Sequence, residues 1–202
     1  MNYFVTAIGT DSGKTLVSAI LCEALEADYW KPIQAGLPKD SDVIKSLVSN
    51  SMIKIHNETY LLNTPASPHA AAKKEGIEIN LNNLQSPSTI RQLIIEGAGG
   101  CLVPLNDHDY VIDIAKNTNT EVILVSNLYL GSINHTLLSA HLLDSKNIPV
   151  KGIIFNGMAN KESERIILLH TNYHCLLRIQ QEQEITPATV KKYAALLKEN
   201  WK

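Results

Sequence analysis

A candidate phosphate-binding loop ends at Gly13, Lys14 and Thr15, directly after the apolar stretch from residue 3 to residue 8. Backbone N–H groups at a helix start bind phosphate oxygens, a lysine there reaches the outer phosphates, and a threonine hydroxyl binds Mg²⁺. The usual pattern, G-x-x-x-x-G-K-[ST], would place its first glycine at position 8, but that position is isoleucine and the nearest glycine is Gly9. The stretch GTDSGKT therefore predicts a nucleotide-binding loop of irregular spacing. An ordinary glycine turn is the alternative.

A second chemical signal is the carboxylate of Glu96, which follows the apolar run LII and precedes Gly97, Gly99 and Gly100. Proteins with a phosphate-binding loop hold their metal with a second acidic residue, more often Asp than Glu, and we expect it at the end of a neighbouring strand. The glycines allow the backbone to approach a ligand closely. Glu96 is therefore a candidate metal ligand, with an exposed carboxylate at a strand end as the alternative.

Two further charged residues are candidates only in combination with that loop. Lys31 leaves a short apolar stretch and is followed by Pro32, so its ammonium group is expected to point into a crevice. Asp42, in the stretch DSDVIK, is suited either to binding a metal or to capping a helix. Taken alone, Lys31 reads as a surface lysine and Asp42 as a cap or a solvated carboxylate.

Strand-like and helix-like segments alternate along the chain, and they must position these side chains. Four segments are apolar on both faces rather than alternating, which is typical of parallel strands covered by helices: YFVTAI, LIIEG, VILVS and GIIFN. The pattern predicts one doubly wound α/β domain over residues 1–202, with a mainly parallel sheet and helices on both faces. In such a fold, ligands bind at the carboxyl ends of the strands, where the candidate residues lie. Residues 50–90 are less regular and are expected to form an insertion over the sheet edge.

Composition excludes several classes of protein. The 202 residues are 45% hydrophobic and 19% charged, with a net charge of −2, so no basic surface for nucleic acid or an anionic membrane is expected. The N-terminus lacks the features of a signal peptide, and no apolar run approaches the roughly 20 residues of a membrane span. The three cysteines, Cys22, Cys101 and Cys175, form no C-x-x-C pair, which favours idle thiols in a reducing cytoplasm.

In their order along the chain, five blocks of sequence resemble the dethiobiotin synthetase family, a branch of the P-loop NTPases. The blocks are YFVTAIGTDSGKT, YWKPIQAG with SD shortly after, SPH, IIEGAGG and LGSINHTLLSAHLL, with a looser sixth block, GIIFNGM. They span residues 3 to 157. The resemblance implies a cytoplasmic ligase of biotin synthesis that uses ATP and Mg²⁺ to join CO₂ to diaminopelargonic acid. An amine would capture CO₂ as a carbamate, the carbamate would take the γ-phosphoryl group, and the second amine would close the ring.

The resemblance also implies roles for individual residues. Lys31 and Lys14 would be catalytic, with Lys31 beside the carbamate. Thr15, Asp42 and Glu96 would bind Mg²⁺. The residues implied to contact the nucleotide or its metal are Asp11, Ser12, Gly13, Lys14, Thr15, Leu16, Asp42, Glu96, Gly97, Ala98, Gly99, Asn156 and Gly157. The residues implied to contact the diamine are Lys31, Ala35, Gly131, Ser132, Ile133 and Asn134, the last four from the partner subunit of a homodimer.

The chain departs from the family pattern at several positions. The first glycine of the family loop becomes Ala7 when the sequences are aligned without a gap, which is the alignment we prefer. A hydroxyl residue that contacts the substrate becomes Ala35, a loss of about 0.5–1.5 kcal/mol if nothing replaces that hydrogen bond. Around the adenine, an expected Asp is Gly157 and an expected Pro is Gln180, so the sequence leaves the preferred nucleotide base open.

Another class of protein with this broad fold is an ATP-driven dimerisation switch of the ParA and MinD type. Those proteins carry an additional lysine early in the phosphate-binding loop, whereas residues 7–12 contain none. A nucleotide kinase would need an arginine-rich lid, and the chain has only Arg91, Arg165 and Arg178. The ligase interpretation is therefore preferred.

Overall fold

The computed structural model describes residues 1–201 and contains nine strands and seven α-helices over that range. The strands are β1 (Tyr3–Ala7), β2 (Asp28–Trp30), β3 (Ile33–Ala35), β4 (Ile55–His56), β5 (Tyr60–Leu62), β6 (Leu93–Gly100), β7 (Glu121–Asn127), β8 (Val150–Asn156) and β9 (Cys175–Ile179). The helices are α1 (Lys14–Leu25), α2 (Asp40–Leu47), α3 (Pro68–Glu75), α4 (Asp113–Asn117), α5 (Ser132–Ser145), α6 (Lys161–Thr171) and α7 (Pro187–Asn200).

Seven strands form one sheet in the order β4-β2-β6-β1-β7-β8-β9, and every pair in it is parallel. The strand that carries the candidate loop, β1, is central and pairs with β6 and β7. All five of its residues are buried, as expected for a strand covered on both faces. The prediction of a doubly wound, mainly parallel α/β fold is confirmed.

Helices cover both faces of this sheet, and the strand residues divide between the two layers. Val5 packs in a cluster with residues of α1, α2 and α7, whereas its neighbour Phe4 packs in a second cluster with residues of α3, α4 and α5. Successive side chains of a strand point to opposite faces, so the two clusters lie on opposite sides of the sheet. Among the described residues, no helix is both long and apolar enough to cross a membrane.

A short second sheet, formed by β3 and β5, was not expected from the sequence. The stretch DYWKPI does not form one continuous strand, because the chain leaves the large sheet after Trp30 and pairs again only from Ile33. Pro32 separates the two pieces because it has no N–H to donate to a sheet ladder. This break aims Lys31 away from both sheets and into the crevice at the carboxyl ends of the strands.

The irregular stretch from 50 to 90 contributes β4, β5, α3 and a short 3₁₀ helix at Leu81–Asn83. The edge strand β4 pairs with β2, so the expected insertion over the sheet edge is present and adds a strand of its own. The stretch SPHAAAKKEG contains α3, which ends at Gly76 in the left-handed conformation, with φ of 67°.

Candidate active site

A cavity of about 600 Å³ lies at the carboxyl ends of β1, β2 and β6, where the sequence predicts a nucleotide site. Its walls come from the loop before α1, the segment around β3, the start of α2, the residues before α3 and the end of β6. The residues that line it include Thr10, Asp11, Gly13, Lys14, Thr15, Lys31, Ala35, Gly36, Asp40, Pro65, Ala66, Ser67, Pro68, Glu96, Ala98 and Gly99.

The loop between β1 and α1 has the form of a phosphate-binding loop. Gly13 has φ of 92°, and a β-carbon there would lie 2.3 Å from Asn156 Nδ2, so only glycine fits. Asn156 Nδ2 donates to the Ser12 carbonyl oxygen at 2.9 Å and braces the loop against the end of β8. Lys14 Nζ donates to the Gly9 carbonyl oxygen at 3.2 Å, which holds the lysine over the loop. The irregular glycine spacing is therefore compatible with the loop.

Gly9 itself needs no glycine-specific conformation. Nothing lies within 4 Å of a β-carbon built on it, and the left-handed residues of the loop are Asp11, with φ of 57°, and Gly13. Ala7, where the family has a glycine, is the last residue of β1 and is fully buried. The left-handed conformations of the loop therefore come from Asp11 and Gly13 and not from Gly9.

Thr15, Asp40 and Glu96 bring three oxygen-bearing side chains together. Thr15 Oγ1 lies 3.0 Å from Glu96 Oε1 and 3.2 Å from Asp40 Oδ1, so its hydroxyl can donate to either carboxylate. Glu96 is 1% exposed. This triad of Thr15, Asp40 and Glu96 includes two of the three expected metal ligands.

Asp42, the third expected ligand, is not part of this group. Its side chain is exposed on α2 and does not line the cavity, whereas Asp40 does. Residues two apart on a helix point about 200° apart, so Asp40 and Asp42 cannot both face the same site. Asp40, and not Asp42, therefore lies with Thr15 and Glu96 at the wall of the cavity.

Lys31 is buried among oxygen atoms of the same group. Its Nζ lies 2.6 Å from Asp40 Oδ2, 3.1 Å from Glu96 Oε1 and 2.8 Å from the Gly97 carbonyl oxygen. Burial lowers the pKa of Lys31, but Glu96 and Asp40 outweigh it and the pKa is raised overall. Lys31 is therefore a permanent cation at ordinary pH, held at the wall of the cavity.

Lys14 has the opposite shift. Burial lowers its pKa, and the nearby ammonium of Lys31 lowers it further, against weaker opposing effects of Glu96 and Asp40. Two lysine ammonium groups thus line one cavity, together with the carboxylates of Asp11, Asp40 and Glu96.

Tyr29 lies beside the site, although the sequence does not predict it there. It is fully buried on β2, and its hydroxyl donates to Glu96 Oε2 at 2.9 Å. A tyrosine in an apolar strand reads as a core residue, and only its register opposite Ile94 on β6 brings it near Glu96. The position of Tyr29 near the site could therefore be found only from the pairing of β2 with β6, because no local sequence motif marks it.

Part of the irregular segment before α3 forms a wall of the cavity. Pro65, Ala66, Ser67 and Pro68 line it, and Pro65 packs on Gly36 so closely that a β-carbon at Gly36 would lie 3.0 Å from Pro65 Cα. Ser67 and Pro68, the first two residues of the block SPH, thus lie at the cavity.

The glycine-rich end of β6 contributes in two ways. Ala98 and Gly99 line the cavity, and Gly99 adopts φ of 66°. Gly97 instead allows close packing, because a β-carbon there would lie 3.0 Å from the ring of Phe4. Its carbonyl oxygen still takes part in the site through Lys31.

The implied residues of α5 and its cap, and also Leu16 and Gly157, lie outside the walls of this cavity. Gly131, with φ of 106°, caps α5, and Ser132, Ile133 and Asn134 form its first turn. Leu16 is half-buried on α1. Gly157, with φ of 97°, follows β8, and its N–H donates to the Ile179 carbonyl oxygen at 3.0 Å. Ala35 does line the cavity, and it offers no side-chain hydrogen bond.

The chain is similar to known proteins over nearly its whole length. A family model described as an AAA domain matches residues 1–189. The ATP-dependent dethiobiotin synthetase of Cytophaga hutchinsonii is 60% identical over 98% of this chain and 98% of its own length. The enzyme of that name from Christiangramia forsetii is 48% identical over 96% of this chain and 94% of its own length.

Solved structures support the fold. The septum site-determining protein MinD of Pyrococcus horikoshii, in complex with Mg-ADP, aligns with a TM-score of 0.59 at 17% identity, covering 99% of this chain and 95% of its own. A ParA family ATPase of Chlorobium tepidum aligns with a TM-score of 0.53 at 14% identity, covering 98% and 92%. At such identities the likeness concerns the fold alone. The sequence identities over nearly the whole length show that the chain belongs to the ATP-dependent dethiobiotin synthetase family.

Proposed function

We propose that the protein is an ATP-dependent dethiobiotin synthase, a ligase of biotin synthesis that forms C–N bonds. It converts 7,8-diaminopelargonic acid, CO₂ and ATP into dethiobiotin, ADP and phosphate. The observation that carries the proposal is the identity of 60% to a dethiobiotin synthetase over 98% of the chain. The cavity lined by Lys14, Thr15, Lys31 and Glu96 supports the proposal. The small-molecule substrates and the free cysteines favour a cytoplasmic location.

The triad of Thr15, Asp40 and Glu96 fits a magnesium ion. Mg²⁺ prefers hard oxygen ligands and is usually held by one or two carboxylates together with phosphate oxygens. The hydroxyl oxygen of Thr15 lies 3.2 Å from Asp40 Oδ1 and 3.0 Å from Glu96 Oε1, so two carboxylates and a hydroxyl lie close together here. When bound, Mg²⁺ would supply charge neutralisation at the transferring phosphoryl group. We propose Thr15, Asp40 and Glu96 as the residues that hold it.

Lys14 and Lys31 supply two further positive charges, one at the phosphates and one at the carbamate. Lys14, at the start of α1, holds the outer phosphates together with the loop N–H groups. Lys31 stabilises the oxygens of the carbamate that forms when a substrate amine adds to CO₂. The carbamate oxygen takes the γ-phosphoryl group, and the second amine then displaces phosphate from the carbonyl carbon to close the ring. Positioning and charge neutralisation are the main demands of such a phosphoryl transfer.

We propose that a partner subunit completes the substrate site. The first turn of α5 does not line the cavity of its own chain, and Ser132 Oγ is buried there without a hydrogen-bond partner among residues 1–201. A helix N-terminus binds anions, so this turn suits the distant carboxylate of the diamine. Tyr129 and Leu130 beside it are 45% and 103% exposed, which supports coverage by a second copy of the chain.

The base of the nucleotide is proposed to lie near Asn156 and Gly157. The side-chain amide of Asn156 already donates to the loop at Ser12, so its carbonyl oxygen is left to face a base amine. Gln180 is exposed, and its N–H donates to the Tyr193 hydroxyl at 3.0 Å. Rates with ATP, CTP and GTP measure the preference, and a strong preference for ATP would show that Gly157 and Gln180 are harmless.

The decisive experiment is one turnover assay with and without the diamine. The protein is incubated with diaminopelargonic acid, bicarbonate, Mg²⁺ and ATP, and dethiobiotin and ADP are measured. Equal amounts of both products are expected, with little ADP when the diamine is omitted. ATP turnover that is independent of the diamine and yields no dethiobiotin would contradict the proposal.

A further inference from the structure

Tyr29 connects the core of the fold to the carboxylate of Glu96. Its ring lies in the apolar cluster beneath α1 and α7, in the company of Cys22, and it is fully buried. Its hydroxyl donates to Glu96 Oε2 at 2.9 Å. Tyr29 does not line the cavity, so any influence on ligands must pass through Glu96.

The two oxygens of Glu96 have different partners. Oε1 lies 3.0 Å from Thr15 Oγ1 and 3.1 Å from Lys31 Nζ, on the side of the cavity. Oε2 meets the hydroxyl of Tyr29 on the side of the core. The phenol hydroxyl of Tyr29 is a hydrogen-bond donor, and Glu96 Oε2 is the acceptor that it meets in the core.

We infer that Tyr29 is a positioning residue that commits Glu96 to present a single oxygen, Oε1, to a cation in the cavity. A buried carboxylate oxygen without a donor is costly, so the Tyr29 hydroxyl fixes the rotation of the carboxylate about its last bond. Outer hydrogen bonds of this kind set the orientation of metal-binding carboxylates. The inference rests on the proposed function in one respect, the assignment of Glu96 as a ligand of Mg²⁺.

The test compares Tyr29→Phe with the matched variant Tyr173→Phe. Tyr173 also donates to a carboxylate, Asp144 Oδ1 at 3.2 Å, but between α5 and α6 and outside the walls of the cavity. Binding of Mn²⁺ in the presence of saturating ADP is measured from the loss of the free-ion EPR signal. We expect the dissociation constant to rise about tenfold in Tyr29→Phe and to stay at the wild-type value in Tyr173→Phe.

A role confined to packing would give another result. Phenylalanine keeps the ring in the core, so Mn²⁺ affinity equal to that of the wild type would overturn the inference. If Tyr29→Phe unfolds too readily for titration, the linewidth of protein-bound Mn²⁺ is compared at low temperature for Tyr29→Phe and wild type, and identical spectra would overturn it too.

A double variant tests whether Tyr29 acts through Glu96. In a Glu96→Gln background, Tyr29→Phe is expected to weaken Mn²⁺ binding no further, because the carboxylate that it positions is already gone. An additional tenfold loss would contradict the inference. A wild-type protein that binds Mn²⁺ as expected but forms no dethiobiotin would refute the proposed function and leave the role of Tyr29 standing.

Discussion

At the scale of single residues, Lys31 is a buried cation whose partners are oxygen atoms of Asp40, Glu96 and the Gly97 carbonyl. Its side chain is 4% exposed and that of Glu96 is fully buried. Removing one member of a buried ion pair leaves the other charge uncompensated. We therefore expect Lys31→Met to lower the free energy of unfolding by about 3 kcal/mol or more, measured by urea denaturation in EDTA.

Lys14→Met provides the matched control for this effect. Lys14 is also largely buried, but it donates to the Gly9 carbonyl oxygen at 3.2 Å, a neutral acceptor. Its loss is expected to cost about 1 kcal/mol. Both variants are expected to lose ring closure, so activity does not separate them, whereas stability does. Equal destabilisation of the two variants would show that the contacts of Lys31 with Asp40 and Glu96 contribute little to the fold.

The two aspartates at the start of α2 give the second residue-scale prediction. Asp40 lines the cavity and lies 3.2 Å from Thr15 Oγ1, whereas Asp42 is exposed. Asp40→Asn is expected to lower the rate of dethiobiotin formation at least about tenfold and to raise the Mg²⁺ concentration needed for half the maximal rate, and tenfold in rate is about 1.4 kcal/mol. Asp42→Asn is expected to behave as the wild type. The reverse order of the two variants would restore Asp42 as the ligand.

At the scale of elements, the position of Gly13 between β1 and α1 makes a prediction about the loop. A side chain there meets both an unfavourable φ of 92° and a contact of 2.3 Å with Asn156 Nδ2. Gly13→Ala is expected to abolish ATP binding measured by calorimetry, because Asn156 must leave the loop that it braces. The backbone strain adds about 1–2 kcal/mol of instability.

Gly76→Ala isolates the backbone effect from the contact. Gly76 also has a positive φ, 67°, but a β-carbon there meets nothing within 4 Å. It ends α3, away from the cavity walls, so the variant is expected to lose about 1 kcal/mol of stability and to keep its ATP affinity. Retained ATP binding in Gly13→Ala would contradict the importance of the close contact.

The elements show why the sequence predicts some of this structure and not the rest. The long buried strands β1, β6, β7 and β8 are continuous apolar runs, which local pattern reveals. Strands β3, β4 and β5 have two or three residues each, too few for any period, and they exist only because a partner strand lies beside them. Which aspartate of α2 faces the cavity, Asp40 or Asp42, likewise depends on the residue at which that helix begins. The sequence D-S-D does not fix that residue.

At the scale of the whole molecule, the fold alone does not decide the function. Alignment with MinD and ParA ATPases covers nearly the entire chain, and yet their identity of 14–17% says nothing about chemistry. The residues around the cavity and the relatives at 48% and 60% identity distinguish this chain from the MinD and ParA ATPases. The loop agrees with this distinction, since residues 7–12 lack the early lysine expected of a ParA- or MinD-type switch.

In the proposed dimer, each complete active site contains residues of both chains. Lys14 contacts the loop of its own chain, whereas the first turn of α5 is proposed to serve the site of the partner. Lys14→Met and Asn134→Asp are each expected to be inactive as pure dimers, the second because its exposed carboxylate repels that of the diamine. When the two variants are coexpressed at equal levels, half of the dimers are mixed, and each mixed dimer has one intact site.

The coexpressed sample is therefore expected to recover about one quarter of wild-type dethiobiotin formation, because half of the dimers carry half of their sites intact. If α5 served its own chain, every site in a mixed dimer would retain one defect and no activity would return. Coexpression of Lys14→Met with Lys31→Met controls for aggregation and exchange effects, since both residues belong to the same side of the site and their mixture is expected to stay inactive. Activity in that control would refute the assignment of both lysines to one chain's cavity.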